Sequence, residues 1–364
     1  MGCVLAIALL LHISFLTWLL AGLNRPTTQA APLHSGATVI VVFKNELASL
    51  PACLEAIAGQ DYALPLQVVL ADDGSTDGSA ALAERFIRNR DNWSLLQRQQ
   101  ATQWQSSKKE LLHNAVRQAQ HELLLFTDAD CVPPPTWVSS MTACFAVDTA
   151  LVAGFSPQSD KRSPLWNGVL VLDSLSAALV AAGTISRQIG LTCTGRNLAF
   201  RKSAWLAVGG YAALPDTLSG DDDFILAALQ RCGKIHYNQA AAAVVPARGP
   251  ETLTAFLHQK QRHLSSGRQY HRSAQSGYAL FHFNHLLLWL SLVMALATHP
   301  GFGLFFAGKL WWDWLLLTRL GRRFGRQPSL KSFWLWQILF IFYNLKAAAQ
   351  RHRPPRAWRE EKRG

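Results

Sequence analysis

Several common enzyme signatures are missing from this sequence. It has no Gly-x-Ser-x-Gly element, no Walker phosphate-binding loop and no dinucleotide fingerprint, which argues against a serine hydrolase, an ATPase and a dehydrogenase. It has only six cysteines and none forms a Cys-x-x-Cys pair, so neither a zinc site nor a disulfide scaffold is indicated. We therefore expect reduced, mostly buried thiols, as in cytoplasmic proteins.

Charged residues are also scarce. They make up 16% of the sequence against 49% hydrophobic residues, a balance that is apolar for a soluble enzyme and indicates that part of the chain meets lipid. The net charge of +12 comes mostly from residues after Lys260, in segments 319–326 and 351–363 that flank apolar stretches. Because no nucleic-acid motif accompanies them, we expect anionic lipid headgroups as the partner and no nucleic acid.

No lysine or arginine precedes Arg25, and segment 3–23 is almost wholly apolar and long enough to cross a bilayer. A cleaved signal peptide usually starts with basic residues, so residues 1–24 are predicted to form an uncleaved transmembrane anchor. Since the first positive charge follows this segment, the positive-inside rule predicts an integral membrane protein of the plasma-membrane type with its catalytic domain in the cytoplasm.

Between residues 36 and 250, strand and helix signals alternate. The pattern predicts an α/β fold with a parallel sheet covered on both faces, and ligands beyond the carboxyl ends of its strands. The predicted strands are 37–43, 67–71, 93–97 and 122–127, and the predicted helices include 76–89 and 108–120.

The chain becomes apolar again after Tyr278. We predict C-terminal membrane helices within 278–350, with a crossing around 286–297 and a return at 302–317 that Lys309 and Asp313 interrupt. Segment 333–345 is predicted to lie on the inner leaflet, because a further crossing would move the basic tail, 351–364, to the outside; that third C-terminal span stays an alternative.

Acidic residues follow two of the predicted strands. Asp128 and Asp130 suit one hard cation, Mg²⁺ or Mn²⁺, which would neutralise a departing diphosphate; a solvated turn is the alternative. Asp72 and Asp73 can accept a hydrogen bond from a nucleobase or a ribose, although turn chemistry also explains them.

Two further clusters lie on predicted helices. Asp221 and Asp222 begin a helix pattern, where acidic residues cap the helix; neighbouring carboxylates raise each other's pKa, so one of them could act as a general base. Gln259 and Arg262 share one face of a helix within 251–275, where Arg262 suits either a diphosphate or anionic lipid.

In this order, the motifs resemble those of family 2 glycosyltransferases, which have a GT-A (Rossmann-like) nucleotide-sugar domain and membrane helices. The resemblance covers roughly residues 37–268 and rests on seven elements: Lys44-Asn45-Glu46, Asp72-Asp73-Gly74-Ser75, Ser107-Lys108-Lys109, Asp128-x-Asp130, Thr194 to Phe200, Gly220-Asp221-Asp222 and Gln259-x-x-Arg262-His263.

The resemblance implies a role for each matching residue. Asp222 is the catalytic base with Asp221 beside it, and Asp130 and Asp128 hold the metal. Where membrane-bound synthases have Trp, this sequence has His263, which argues against processive polymer synthesis. The implied donor-binding residues are Asn45, Glu46, Asp72, Asp73, Lys108, Lys109, Asp128, Gly195, Asn197, Gln259, Arg262 and His263.

The implied reaction is an inverting, metal-dependent transfer from a nucleoside-diphosphate sugar, UDP-linked by expectation, to a lipid-linked or polysaccharide acceptor at the membrane. Three alternatives stay open: a catalytically inactive nucleotide-sugar-binding membrane protein, a nucleotidyltransferase and a transporter. An inactive relative would lack the catalytic base, a nucleotidyltransferase would have a Gly-rich loop for a triphosphate, and a transporter would lie mostly within the membrane. The sequence has none of these three features.

Overall fold

A seven-stranded mixed sheet forms the centre of the computed structural model, which describes residues 1–24, 35–98, 104–217 and 219–349. The strand order is β3-β2-β1-β4-β7-β5-β8, and two short strands, β6 and β9, form a second sheet. The strands are β1 Ala37–Phe43, β2 Leu66–Asp72, β3 Trp93–Gln97, β4 Leu123–Asp128, β5 Thr149–Gly154, β6 Gln158–Ser159, β7 Leu198–Arg201, β8 Lys234–Asn238 and β9 Ala247–Arg248.

The four predicted strands are parallel, as expected, but the sheet as a whole is mixed because it contains one antiparallel strand, β7. β7 runs antiparallel to both β4 and β5, whereas the other pairings in the large sheet are parallel. The predicted strands 37–43 and 93–97 match β1 and β3 at both ends. β7 has four residues, too few for its direction to be read from a sequence pattern.

Twelve α-helices pack around the sheet in the described part of the chain. They are α1 Gly2–Leu23, α2 Leu50–Ala58, α3 Ser79–Ile87, α4 Ser107–Gln118, α5 Trp137–Thr142, α6 Pro164–Ile185, α7 Lys202–Ala207, α8 Asp221–Leu229, α9 Leu253–Ser266, α10 Arg272–Ala297, α11 Gly303–Arg323 and α12 Leu330–Ala349.

The central strand β1 is buried along its whole length, so both of its faces belong to the core. Val39 and Val41 pack into one hydrophobic cluster, and Ile40 and Val42 pack into the cluster on the other side. The register pairs Val42 with Asp128. The carboxyl ends of β1, β2 and β4 therefore share one edge, where the acidic motifs were expected.

Three described helices are long and apolar enough to cross a membrane: α1, α6 and α10. α6 was not predicted, although a 22-residue stretch with Asp173 as its one charged residue is typical of a long apolar helix. It lies mostly buried against α1, α11 and α12. α1 and α6 touch at two glycines: a Cβ on Gly22 would lie 2.3 Å from the Gly183 carbonyl oxygen.

Two charged residues in the middle of α11, Lys309 and Asp313, are buried inside this helix bundle. Lys309 Nζ lies 2.5 Å from Asp313 Oδ2, and Gln337 of α12 bonds to both side chains. The segment predicted to lie on the leaflet is part of α12, which packs on α6 and α9. The predicted basic tail, 351–364, lies outside the described residues.

Candidate active site

A cavity of about 1220 Å³ opens at the carboxyl edge of the sheet and extends between the apolar helices. It gathers residues from the loop after β1, the start of α4, the end of β4, the loop before β7, the start of α8, and α9. Its polar lining includes Glu46, Lys108, Asp128, Asp130, Gly195, Arg196, Asp221, Asp222, Asp223, Gln259, Arg262 and His263.

Asp128 and Asp130 line this cavity from the end of β4. Lys108 Nζ lies 2.9 Å from Asp128 Oδ1; burial raises the pKa of Asp128, but Lys108 outweighs it and holds that pKa below its usual value. Burial and the charge of Asp128 raise the pKa of Asp130 to about 6. Within the described residues, the one hydrogen bond to the Asp130 carboxylate comes from the Cys131 thiol, at 3.5 Å.

This donor set fits a hard divalent cation. Asp130 has a costly negative charge with no salt-bridge partner among the described residues, and both carboxylates supply the oxygens that Mg²⁺ and Mn²⁺ prefer. The described residues contain no cluster of three histidine, cysteine, aspartate or glutamate side chains placed for a metal. A cation here would thus need phosphate oxygens and water to complete its coordination.

Asp222 lines the same cavity from the first turn of α8. Its Oδ2 accepts a hydrogen bond from the backbone N–H of Gly195, at 2.7 Å. Burial is the main cause that raises the pKa of Asp222 to about 7, with Asp221 and Asp223 adding to the rise and Lys108 opposing it. A carboxylate with this pKa is suited to accept a proton at neutral pH.

The neighbours of Asp222 have other contacts. Asp221 Oδ1 lies 3.5 Å from Lys109 Nζ. Asp223 accepts hydrogen bonds from the Cys193 backbone N–H and from the Tyr270 hydroxyl, so it connects the loop before β7 to the segment between α9 and α10. Neither Asp222 nor Asp223 has a salt bridge among the described residues, and Asp222 is the one of the three whose pKa is raised to about 7.

Asp73 lies at the sheet edge but does not line the cavity. Its side chain is fully buried, Oδ2 accepts a hydrogen bond from Ser107 Oγ at 2.7 Å, and Oδ1 lies 2.9 Å from Arg98 Nε. Asp72 accepts bonds from the backbone N–H and hydroxyl of Ser75, which is the turn-holding role that the sequence analysis left open.

Comparison with known proteins identifies the family. Residues 38–203 match the profile described as Glycosyl transferase family 2, and residues 127–345, more than half of the chain, match Glycosyl transferase family group 2. The chain belongs to the family 2 glycosyltransferases. The family and the GT-A-like fold that the motifs predicted are therefore confirmed.

Two curated glycosyltransferases are similar to this one over part of their length. An N-acetylglucosaminyltransferase of Rhizobium leguminosarum bv. viciae is 23% identical over 64% of this chain and 55% of its own. Glycosyltransferase AglE of Haloferax volcanii is 28% identical over 28% of this chain and 32% of its own. The matched region thus spans about half, or less, of these curated relatives.

One solved glycosyltransferase has a similar fold over nearly its whole length. The mannosyltransferase PcManGT from Pyrobaculum calidifontis, solved in complex with GDP-Man and Mn²⁺, covers 97% of this chain and 96% of its own, with a TM-score of 0.63. At 19% identity, this match supports the fold.

In this glycosyltransferase, two side chains that were predicted to bind the donor do not point into the cavity. Lys109 is fully buried, and its ammonium donates to the carbonyl of Pro215 at 2.6 Å. Asn197 donates to the carbonyls of Phe155 and Ala243 and accepts from the Trp137 indole, so it joins β7 to its neighbours. Neither side chain lines the cavity.

Asn45 also has a local role, in the loop that follows β1. Its φ of 52° is in the left-handed region, and its Oδ1 accepts a hydrogen bond from the Thr76 backbone N–H at 2.8 Å. Glu46 lies beside it, at the cavity wall. The loop thereby places a carboxylate at the cavity wall.

The predicted face of α9 does reach the site: Gln259, Arg262 and His263 line the cavity. Arg196 was not among the predicted site residues. Its positive charge lowers the pKa of both Asp128 and Asp130, whereas burial raises both pKa values. Its position within the Thr194 to Phe200 element was the sequence feature that could have identified it as a site residue. An arginine beside two carboxylates that could hold a cation has a side chain suited to bind a diphosphate.

Proposed function

We propose that the protein transfers a sugar, with inversion, from a nucleoside-diphosphate sugar to a hydroxyl acceptor that reaches the cavity from the membrane helices. The observation that carries this proposal is that Asp222, with a pKa near 7, lines the same cavity as Asp128 and Asp130. A proton acceptor and a cation site on one cavity are what a single in-line displacement requires.

In the proposed step, the acceptor oxygen attacks the anomeric carbon from the side opposite the diphosphate. The new carbon–oxygen bond forms as the bond to the diphosphate breaks, and the bonding electron pair leaves with the diphosphate. Asp222 takes the proton of the acceptor hydroxyl. One displacement inverts the anomeric configuration, and no covalent enzyme intermediate is formed.

The donor would be held at its diphosphate by positive charge. Arg196, Arg262 and Lys108 line the cavity around Asp128 and Asp130, and they would bind phosphate oxygens. A Mg²⁺ or Mn²⁺ ion on the two aspartates would offset negative charge on the departing diphosphate. Mn²⁺ and GDP-Man in the mannosyltransferase complex support a metal and a nucleoside diphosphate in general; we propose UDP as the nucleotide here.

The acceptor side of the cavity is apolar. Phe281, Leu316 and Phe340 line it along the helices that follow α9. This lining supports an acceptor with a hydrocarbon part, such as a lipid-linked sugar, over a polysaccharide. The membrane-spanning length of α1 and α10 supports an integral membrane protein, and we propose a cytoplasmic catalytic domain, where activated sugars are made.

The test is incubation of membranes containing the protein with a panel of labelled nucleotide sugars and Mn²⁺, followed by organic extraction. Label in the organic phase, joined through an inverted anomeric centre, is expected from at least one UDP-sugar. Pyrophosphate release from a sugar phosphate and a nucleoside triphosphate would instead identify a nucleotidyltransferase. Donor binding without any turnover would identify an inactive relative.

A further inference from the structure

The cavity continues beyond the catalytic carboxylates into the helix bundle. Past the rings of Phe281 and Phe340 it reaches His12 of α1, His285 of α10 and Asp313 of α11. These residues are far from the diphosphate-binding groups in sequence, and the proposed transfer step does not use them. Ionisable residues inside a bundle of apolar helices are rare unless they have a function.

His285 is the unexplained group. Its side chain is buried, with 4% of its surface exposed, and neither ring nitrogen has a hydrogen-bond partner among the described residues. The ring lies against Phe340, with centroids 5.1 Å apart, and Phe281, at 6.1 Å. A buried polar group without a partner is costly, so this histidine is expected to meet a ligand.

His12 offers a second free nitrogen beside it. His12 Nε2 lies 2.7 Å from Asp313 Oδ1, while Lys309 already neutralises Asp313. In the tautomer that donates from Nε2 to Asp313, Nδ1 is an acceptor, and that atom is also buried without a partner among the described residues. The centroids of His12 and His285 are 6.2 Å apart, a separation that one bridging oxygen can span.

One hydroxyl can bond to both rings, because it can donate to His12 Nδ1 and accept from a ring N–H of His285. We propose that this pair is a binding site for a second hydroxyl on an acceptor whose middle part is hydrocarbon. The proposal rests on the proposed function only in that the acceptor's first hydroxyl would lie at Asp222.

The spacing along α10 sets the length of such a ligand. Tyr270 donates to Asp223, beside the base, and its ring lies 6.2 Å from that of Tyr278. His285 follows Tyr278 by seven residues, about 10 Å along the helix axis. The two hydroxyls would therefore be separated by a hydrocarbon chain of medium length, which the apolar lining between them accommodates.

The test compares dodecanediol with dodecanol as ligands of the purified full-length protein in detergent, measured by the rise in Tm with ligand concentration. One or two additional hydrogen bonds should make the apparent Kd for the diol roughly threefold to tenfold lower. His285→Leu should lose this preference while it still binds dodecanol, and His285→Asn should keep part of it. His299→Leu, at the exposed turn after α10, is the matched control and should retain the preference.

Equal Tm shifts by the diol and the alcohol in the wild type would overturn the proposal and indicate a site that holds only water. Retention of the full preference by His285→Leu would also overturn it. Sugar transfer is assayed separately. An active protein without diol preference contradicts only this site, whereas an inactive protein with the preference contradicts only the proposed function.

Discussion

Asp222 Oδ2 lies 2.7 Å from the backbone nitrogen of Gly195, and this contact joins the first turn of α8 to the loop before β7. The two segments are far apart in sequence, and each contains one of the family's motifs. The contact fixes one carboxylate oxygen and leaves the other oxygen as the one available for an acceptor proton.

Replacement of Gly195 by alanine should displace the base. The new Cβ would lie 2.4 Å from Asp222 Oδ1, far inside van der Waals contact. Because a small displacement of a catalytic group is costly, we expect kcat to fall about a hundredfold while the donor KM changes little. Steady-state kinetics with the labelled donor measure both. Gly303→Ala is the matched control, since its Cβ would meet only Ala295 at 3.5 Å.

The rate should depend on pH through Asp222. Since burial raises its pKa to about 7, kcat/KM should rise about tenfold per pH unit below pH 7 and level off above it. A raised carboxyl pKa also means that ionised Asp222 lowers the stability of the fold, increasingly from its unfolded-state pKa up to about pH 7. Asp222→Asn should therefore be inactive, while its Tm at pH 8 should be at least as high as that of the wild type. A profile without this rise would exclude Asp222 as the base.

Much of the sheet edge was predictable because buried parallel strands have a clear pattern. The strand 37–43 and the acids after the predicted strands 67–71 and 122–127 could be located from residue type alone. The roles of individual side chains were harder to predict. Lys109 follows Lys108 directly, but consecutive residues of a helix point in different directions, and the Lys109 ammonium donates to the Pro215 carbonyl. The motif gives the residue types but not these directions.

Long-range packing explains the other differences. α6 lies between the Asp128-x-Asp130 element and the Thr194 to Phe200 element, and it was predicted as part of the α/β domain although it is as apolar as a membrane span. Lys309 and Asp313 read as interruptions of α11, but they pair with each other in the bundle. The pair itself is local, but its other partners, His12 of α1 and Gln337 of α12, are distant in sequence.

The ion pair between Lys260 of α9 and Asp173 of α6 should position the helix that contributes Arg262. Both side chains are largely buried, and the Tyr343 hydroxyl donates to the same carboxylate at 3.2 Å. Lys260→Met alone should destabilise the fold by about 3 kcal/mol, because it leaves Asp173 buried and unpaired.

The double variant Lys260→Met with Asp173→Leu should recover most of that stability. Its donor KM should stay above the wild-type value, because α9 is no longer positioned by the ion pair. Thermal unfolding and donor kinetics on the same preparations separate the two effects. Recovery of both quantities would show that the pair has no role in positioning α9.

The most direct measurement compares Mn²⁺-dependent UDP binding, by calorimetry, with sugar transfer in the wild type, Asp222→Asn and Asp130→Asn. Asp222→Asn should bind UDP like the wild type and lose transfer by at least about a hundredfold, whereas Asp130→Asn should lose Mn²⁺-dependent binding and transfer together. Asp148→Asn, an exposed acid paired with Lys234, should behave as the wild type. Transfer at the wild-type rate by Asp222→Asn, or Mn²⁺-dependent binding that Asp130→Asn retains in full, would contradict the account.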